Sequence, residues 1–372
     1  MKRKRFGEER GLRSEEAKKR ILVLRYRFIG DTVLTVPFLR NLRKAEPEAY
    51  IAWVVAPGSS DVVSGIPYVD EMIYWDPVTI HADSKGTHRT IADKWGFIKE
   101  LRRKRFDKVY VLKRSLSSAV IALLTGARER VGFNTEGRGL LLTKQVTYRH
   151  DQHEVQNFLD VLRADKIPIH DDHLETWLTD GEKAFADNFL KHSGIAENEK
   201  VVALHPFTAN PPRAWHLDNF IELANHLQGK YHARILIFGG KRDTTHVEYL
   251  KEKICPEPVV AVGTTTLRES MAILDRCSLL VCNDSGIMHL AAAMQIPLVA
   301  MFGPQSPLKF GPWGEKCRII YKRFPCSPCK QKFFEECKPS NRFSPQCMEE
   351  ISIAEVITEV EQSGGFSPRN SI

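Results

Sequence analysis

The stretch NDSGIMHLAAA (283–293) places an acid, a hydroxyl, a glycine and a histidine directly after the apolar run LLVC. Asp284 can accept hydrogen bonds from sugar hydroxyls, and Ser285 offers an oxygen to cap a helix that begins near Gly286. Such a helix start points unpaired N–H groups and a positive dipole end at a phosphate or diphosphate. His289, one turn later, can reach the same ligand. An ordinary capped helix with a buried histidine explains the stretch as well.

Two further polar loops each follow a strand-like run. HPFTANPPRAW (205–215) contains Thr208, which can bond a phosphate oxygen, and Arg213, whose guanidinium suits bidentate phosphate binding. FGGKRD (238–243) places Asp243 where acids accept ribose hydroxyls after nucleotide-binding strands. There is no G-x-G-x-x-G, so a dinucleotide site is not expected.

An acid also stands between the first strand and its helix. RFIGDTVLTVP (27–37) leads into a predicted helix over 32–44, with Asp31 just before it. Asp31 can be a simple cap; facing a phosphorylated donor, it can act as general base on an acceptor hydroxyl. The turn-rich loop FGPQSPLKFGPWG (302–314) can offer N–H groups to a phosphate, although turn formation explains it equally well.

These residues need strands to position them, and the sequence contains two series of apolar strands alternating with helical segments. The first series runs from ILVLR (21–25) to ERVGF (129–133), the second from VVALH (201–205) to PLVAMF (297–302). Near-continuous apolar strands of this kind indicate parallel sheets covered on both faces. We therefore predict an α/β fold with two Rossmann-like, doubly wound domains facing a central cleft.

The predicted organisation has four parts. They are a basic N-terminal extension (1–20), a first domain (21–180), a second domain (181–350) with a cysteine-containing tail (326–347), and a C-terminal helix and tail (351–372).

Composition favours a globular protein with an anionic partner. Of 372 residues, 42% are hydrophobic and 27% charged, and no run approaches the ~18 apolar residues of a membrane span. The charged start has no apolar core behind it, so a cytoplasmic location is expected. Residues 1–20 hold nine Lys or Arg against four Glu, and residues 99–114 hold eight against two acids. A polyanionic partner or a solvated helix face explains this concentration.

Four cysteines cluster near the end of the second domain. Cys326, Cys329, Cys337 and Cys347 are spaced C-x2-C-x7-C-x9-C, which in a cytoplasmic protein suggests metal more than disulfides. A structural zinc could tie this tail to the domain. An iron–sulfur cluster and free or reversibly oxidised thiols are the alternative readings.

Taken together, RFIGDTVLTVP, PFTANPPRAW, GGKRD and NDSGIMHLAAAMQIPLVAMFGP, in that order and spacing, resemble glycosyltransferase family 9 over about residues 20–350. These are the ADP-heptose:lipopolysaccharide heptosyltransferases, with the two-domain GT-B fold. The resemblance implies that the first domain binds the acceptor and the second the nucleotide sugar. It also implies site roles: Asp31 as catalytic base, Thr208 and Arg213 at the diphosphate, Asp243 at the ribose, and Asp284, Ser285, Gly286 and His289 in the donor-sugar region.

Two departures concern the donor. Arg213 stands where the family commonly has Lys, and Ala209 where it often has a second hydroxyl residue. The activity implied is inverting transfer of a heptose from ADP-heptose to the lipopolysaccharide inner core. No catalytic metal is expected, because the chain has no Asp-x-Asp and a positive side chain with a helix dipole can replace one.

The expected partners are a nucleotide sugar, an anionic glycolipid and, by peripheral contact, the cytoplasmic face of the inner membrane. Three alternatives remain: a family 9 enzyme with another nucleotide sugar or glycan acceptor, a non-catalytic glycan-binding protein, and a nucleic-acid-binding protein. The last leaves Asp31, Asp243 and Asp284 at the strand ends unexplained, because acids would repel a phosphate backbone.

Overall fold

The computed structural model describes residues 18–77, 87–330, 337 and 345–364. Two six-stranded, all-parallel sheets dominate this part of the chain, and helices alternate with the strands. The predicted fold class, two Rossmann-like α/β domains, is confirmed. The predicted extension over 1–20 lies, apart from its last three residues, outside the described residues.

The first sheet has the order β3-β2-β1-β4-β5-β6. Its centre is apolar because both faces are covered: from Ile21 to Leu24 every residue of β1 is buried. Its strands are β1 (Arg20–Leu24), β2 (Tyr50–Val55), β3 (Glu71–Tyr74), β4 (Lys108–Val111), β5 (Glu129–Phe133) and β6 (Lys144–Val146).

One helix prediction for this half is corrected, because the first helix begins at Ile29 rather than at residue 32 and therefore includes Asp31. The single helix predicted over 32–44 is two, which meet at Thr35, because Pro37 has no N–H to continue the first. The helices are α1 (Ile29–Leu34), α2 (Val36–Ala45), α3 (Pro57–Ser60), α4 (Ile91–Arg103), α5 (Leu116–Leu124) and α6 (Glu154–Ala164), with short 3-10 helices at Asp61–Val63 and Thr135–Leu141.

The second sheet has the order β12-β11-β10-β7-β8-β9. Its strands are β7 (Val201–His205), β8 (Arg234–Gly239), β9 (Val259–Val262), β10 (Leu279–Asn283), β11 (Leu298–Phe302) and β12 (Cys317–Tyr321). Its helices are α7 (Asp180–His192), α8 (Leu217–Tyr231), α9 (Val247–Lys253), α10 (Leu267–Asp275), α11 (Gly286–Ala293), α12 (Pro307–Phe310), α13 (Gln346–Glu349) and α14 (Ile353–Gln362), with 3-10 helices at Pro211–Arg213 and Lys241–His246.

The two halves touch on both sides of the cleft. Helices α1 and α11 pack against each other, so closely that a Cβ added at Gly30 would lie 2.5 Å from Cδ2 of His289. Farther along, His153 stacks on Trp313 with ring centroids 4.5 Å apart, and its Nε2 lies 2.9 Å from the carbonyl oxygen of Gly311. The strands of the two sheets fall on either side of residue 180; the exact domain boundaries stay a prediction. None of the described helices combines the length and the apolar character that crossing a bilayer demands.

Candidate active site

Neighbouring strand ends assemble the second-domain edge of the cleft. Strands β7 and β10 pair in parallel, so the loop after His205 and the residues after Asn283 emerge at the same edge of the sheet. The loop containing Thr208 and Arg213 thereby meets Asp284.

An ion pair lies at the centre of this edge. Arg213 Nη1 is 3.1 Å from Asp284 Oδ2. Asp284 is only 5% exposed, and burial raises its pKa to about 6, an effect that Arg213 opposes. Oδ2 receives no well-directed hydrogen bond in the structure. A buried carboxylate with an under-used oxygen is the kind of polar group that a ligand hydroxyl can satisfy.

Ser285 stands at the start of α11, as expected, but its hydroxyl does not cap the helix. The capping prediction is therefore wrong: Ser285 Oγ turns instead toward His205 Nδ1, 3.4 Å away. Without a side-chain cap, the first N–H groups of α11 can bond a ligand. A Cβ at Gly286 would lie 3.3 Å from Cβ of Ile29, so glycine permits the close approach of α1.

His289 is buried against the first domain. Its ring packs on Gly30, and it is 7% exposed. Burial, with a smaller contribution from His153, lowers the pKa of His289 to about 3, so the imidazole is neutral at physiological pH. Its Nδ1 has no hydrogen-bond partner. The contact of His289 with the donor stays a prediction. In the structure the His289 side chain packs across the interface between the two halves, on Gly30, the residue that precedes Asp31.

Thr208 and Asp243 occupy the same edge with local partners. Thr208 Oγ1 accepts a hydrogen bond from the Asn210 N–H at 3.3 Å. Asp243 Oδ2 accepts one from the Gly240 N–H at 2.8 Å, which stabilises the short helix that follows. Both side chains are half-exposed, and their predicted donor roles stay predictions.

Asp31 lies in the first turn of α1 and is paired with a residue that the sequence analysis did not single out. Arg25 Nη2 is 2.5 Å from Asp31 Oδ1. Arg25 is 8% exposed, its guanidinium lies over the ring of Phe158 at 5.4 Å, and its Nε has no hydrogen-bond partner. A rigid arginine that holds one carboxylate oxygen orients the carboxylate toward the cleft. The only sequence signal was an arginine directly after the apolar residues of β1.

The first-domain edge also carries cations that the sequence analysis counted but did not locate. Lys113 Nζ is 4.4 Å from the centroid of the Tyr26 ring. Burial, followed by the charges of Arg25 and Arg27, lowers the pKa of Lys113 to about 7, against the opposing effect of Asp31. Arg25, Arg27 and Lys113 thus lie close together beside Asp31, and Lys113 is only partly protonated near neutral pH.

The cysteine-containing tail contacts the 302–314 loop through Cys329 and Cys347. Cys347 is buried, with Sγ 2.9 Å from where a Cβ at Gly303 would be, and the Cys329 N–H donates to the Pro304 carbonyl at 3.0 Å. Burial, and then the proximity of Cys337, raises the pKa of Cys347 to about 12. Among the described residues, no three His, Cys, Asp or Glu side chains are arranged to hold a metal ion. The zinc stays a prediction.

Sequence comparison gives one family match and several relatives. A family model described as glycosyltransferase family 9 (heptosyltransferase) matches residues 94–338. Lipopolysaccharide heptosyltransferase 2 of Escherichia coli K12 is 25% identical over 321 residues, covering 81% of this chain and 87% of that protein. Lipooligosaccharide heptosyltransferase 2 of Haemophilus influenzae is 27% identical over 316 residues, covering 81% and 88%.

Solved structures give the same picture of the fold. The glycosyl transferase family 9 structure from Veillonella parvula matches with a TM-score of 0.80 and 25% identity, covering 93% of this chain and 97% of that one. The ADP-heptose lipopolysaccharide heptosyltransferase II of E. coli matches with a TM-score of 0.73 and 23% identity, covering 92% and 98%. The arrangement of two facing Rossmann-like domains is thus the GT-B fold of these proteins.

Proposed function

This chain belongs to glycosyltransferase family 9, and on that premise we propose that it transfers a heptose from ADP-heptose to the lipopolysaccharide inner core. The observation that carries the proposal is the placement of Asp31. Its helix α1 packs directly against α11, the helix whose free N-terminus faces the cleft. A base and a diphosphate site on facing helices are the two components that glycosyl transfer requires.

The donor would bind at the edge formed by β7, β8 and β10. Arg213 and Thr208 would contact the diphosphate together with the first N–H groups of α11. Asp243 would accept hydrogen bonds from the ribose hydroxyls. Asp284 would do so from the donor sugar, since its Oδ2 has unused capacity.

Asp31 would act as general base. Because Arg25 engages Oδ1, the second oxygen of Asp31 can take the proton from the acceptor hydroxyl. The hydroxyl oxygen then attacks the anomeric carbon on the face opposite the nucleoside diphosphate, and the bond to the diphosphate breaks with inversion. Arg213 and the α11 N–H groups would stabilise the charge that develops on the leaving diphosphate.

We propose that this reaction needs no metal ion. The positive charge that a divalent cation would supply comes instead from Arg213 and the start of α11. Activity should therefore survive exhaustive treatment with a chelator. Loss of activity that magnesium or manganese restores would contradict this part of the proposal.

We further propose peripheral contact with the cytoplasmic face of the inner membrane. Helices α4 and α5 pack together and leave Trp95 and Leu116 more than half exposed, with the basic residues Arg102 and Arg103 at the end of α4. Exposed apolar side chains beside cations suit an anionic bilayer surface. Co-sedimentation with vesicles containing phosphatidylglycerol, but not with purely zwitterionic vesicles, is the expected result.

The proposed function is tested by a donor screen. The protein is incubated with heptose-deficient lipopolysaccharide and, in turn, with ADP-heptose and with ADP-, GDP- and UDP-hexoses. Mass spectrometry of the lipid should show the gain of one heptose with ADP-heptose alone. Transfer from another nucleotide sugar would support the proposed mechanism and identify a different donor. No transfer from any donor, with ADP still bound, would point to a different acceptor or to a binding protein.

A further inference from the structure

The loop after β11 belongs to the second domain, yet its Lys309 contacts the first. Lys309 Nζ lies 4.6 Å from the centroid of the Tyr148 ring. Arg114, at the end of β4, lies over the same ring, with its Cζ 3.9 Å from the centroid. Two cations from opposite domains therefore share one aromatic ring.

The ring of Tyr148 that both cations contact is held in place by its own contacts. It is 5% exposed, and its hydroxyl donates to Glu154 Oε2 at 2.6 Å. Its ring also packs edge-to-face on Phe133. Each cation gains modestly from the ring, but the two repel each other: burial lowers the pKa of Lys309, and the charge of Arg114 lowers it further.

The surrounding carboxylates do not neutralise this charge. Glu154 opposes the shift at Lys309 but is buried and bonded to Tyr148, and Asp31 is paired with Arg25. Within the described ranges, Lys113, Arg114 and Lys309 have no acidic side chain within ion-pair distance. Two half-buried cations, Arg114 and Lys309, that are held on one ring with no counter-ion within ion-pair distance favour the binding of an anion.

The position of this cluster determines which ligand it serves. Strand β4 pairs with β1, so Lys113 and Arg114 emerge beside the segment that carries Asp31. The donor residues Arg213 and Asp284 belong to the other sheet. Although Lys309 follows a strand of that second sheet, its side chain turns to Tyr148 on the first-domain edge.

We propose that Lys309 and Arg114 form a subsite for an anionic group of the acceptor, a carboxylate or a phosphate next to the sugar that receives the heptose. This subsite rests on the proposed function, because it assumes that an acceptor enters beside Asp31. An anion bound there contacts both domains at once, so acceptor binding also stabilises the closed arrangement of the cleft.

The test is steady-state kinetics with ADP-heptose and heptose-deficient lipopolysaccharide. Lys309→Gln and Arg114→Gln should each raise the acceptor KM about tenfold or more, the loss typical of a charge-assisted hydrogen bond, and leave the donor KM within about twofold. Lys309→Arg should restore most of the affinity, because it keeps the charge. Lys316→Gln, an exposed lysine of the same domain, is the matched control.

Modified acceptors identify the anion. If the bound anion is a phosphate, lipopolysaccharide treated with phosphatase should show the same high acceptor KM with the wild type; if it is a carboxylate, lipopolysaccharide with reduced carboxyl groups should do so. With that modified acceptor, Lys309→Gln should cause no further rise in KM. An unchanged acceptor KM in both Gln variants would overturn the proposal, and so would a rise in the donor KM instead.

Failure of the proposed function gives a separate result. If the wild type transfers no sugar, binding of the same lipopolysaccharide is measured directly by surface plasmon resonance. Weaker binding by Lys309→Gln and Arg114→Gln than by Lys316→Gln would still support the subsite. Equal binding by all of them, or none by the wild type, would overturn it.

Discussion

The two edges of the cleft handle charge in opposite ways. At the centre of the second-domain edge the charges are paired or suppressed: the buried Asp284 lies beside Arg213, while burial lowers the pKa of His205 and of His289 and keeps both uncharged at neutral pH. On the first-domain edge Lys113 and Arg114 are half-exposed and lack an acidic partner among the described residues. A pre-formed edge suits one invariant ligand, and an open cationic edge suits a ligand that brings its own charge.

On the basis of this difference we propose that the donor binds to the second domain and the acceptor to the first, with Asp31 between them. It also gives the two edges different sensitivities. A change on the pre-formed edge should affect donor binding and leaving-group chemistry. A change on the open edge should affect the acceptor alone.

The largest expected effect is at the boundary between the edges. Asp31→Asn should lower kcat about a thousandfold, because general-base catalysis typically contributes 10²–10⁴-fold. The affinity for ADP should not change. Rapid-quench measurement of heptose transfer, with Asp180→Asn as a control on an exposed acid, tests this. A large change in ADP affinity would show that Asp31 belongs to the donor edge after all.

A second test separates charge from geometry on the donor edge. Arg213→Gln should lower kcat/KM for the donor about a hundredfold, the range seen when one donor to a developing negative charge is removed. Arg213→Lys should lose far less, since it keeps the charge and loses only the planar fork. If the Lys and Gln variants are equally impaired, the fork geometry rather than the charge is what the donor requires.

A third test addresses the contact between the edges. A Cβ at Gly30 would lie 2.5 Å from Cδ2 of His289, so Gly30→Ala should lower the free energy of unfolding by about 1–3 kcal/mol, as overpacking does. Adding His289→Ala should recover part of that loss. The control is Gly96→Ala in α4, where a Cβ meets nothing within 4 Å. Urea denaturation of the wild type, Gly30→Ala, His289→Ala and the double variant measures the coupling, and additive effects would contradict direct contact.

A fourth test uses the pH dependence of stability. Burial lowers the pKa of His153 and of His205 to about 4 and that of His289 to about 3. Below pH 6.5 the unfolded chain therefore binds protons that the folded chain does not, so stability is lost as the pH falls from 6.5 toward 4. Asp284 has the opposite effect: because its pKa is raised to about 6, the folded chain binds one proton at Asp284 that the unfolded chain does not bind near pH 5.

The resulting slope can be measured. With a net uptake of about two protons on unfolding, the free energy of unfolding near pH 5 should fall by about 3 kcal/mol per pH unit. Urea denaturation at pH 5, 6 and 7 checks this, and His289→Phe should reduce the slope by about one proton. A stability that rises as the pH falls through this range would contradict a neutral, buried donor edge.

The central strands were predictable, whereas three of the four edge strands were not. Strands such as β1 and β10 are buried on both faces and read as continuous apolar runs, which fixed their positions in the chain. The sequence analysis did not identify β3, β6 or β12, which lie at sheet edges and are interrupted by polar residues. Edge strands have less apolar surface to bury, so the local pattern carries less information about them.

The residues of the candidate site likewise differ in how far the sequence predicted their arrangement. Acids and hydroxyls at strand ends followed from the topology of parallel sheets, because such ends gather at one edge. The pairing of Arg25 with Asp31 and the packing of His289 on Gly30 depend on how the chain comes together in three dimensions. Lys309 was the hardest to assign, since its loop belongs to one domain and its side chain contacts the other.

The assignment of the donor to one edge is tested most directly by ADP binding to two matched arginine variants. Isothermal titration calorimetry would compare the wild type, Arg213→Gln and Arg114→Gln, each of which removes one guanidinium from one edge. We expect ADP affinity to fall at least about tenfold in Arg213→Gln, as for loss of a charge-assisted hydrogen bond, and to stay within about twofold in Arg114→Gln. Equal losses in the two variants, or a loss in Arg114→Gln alone, would contradict the division of the cleft.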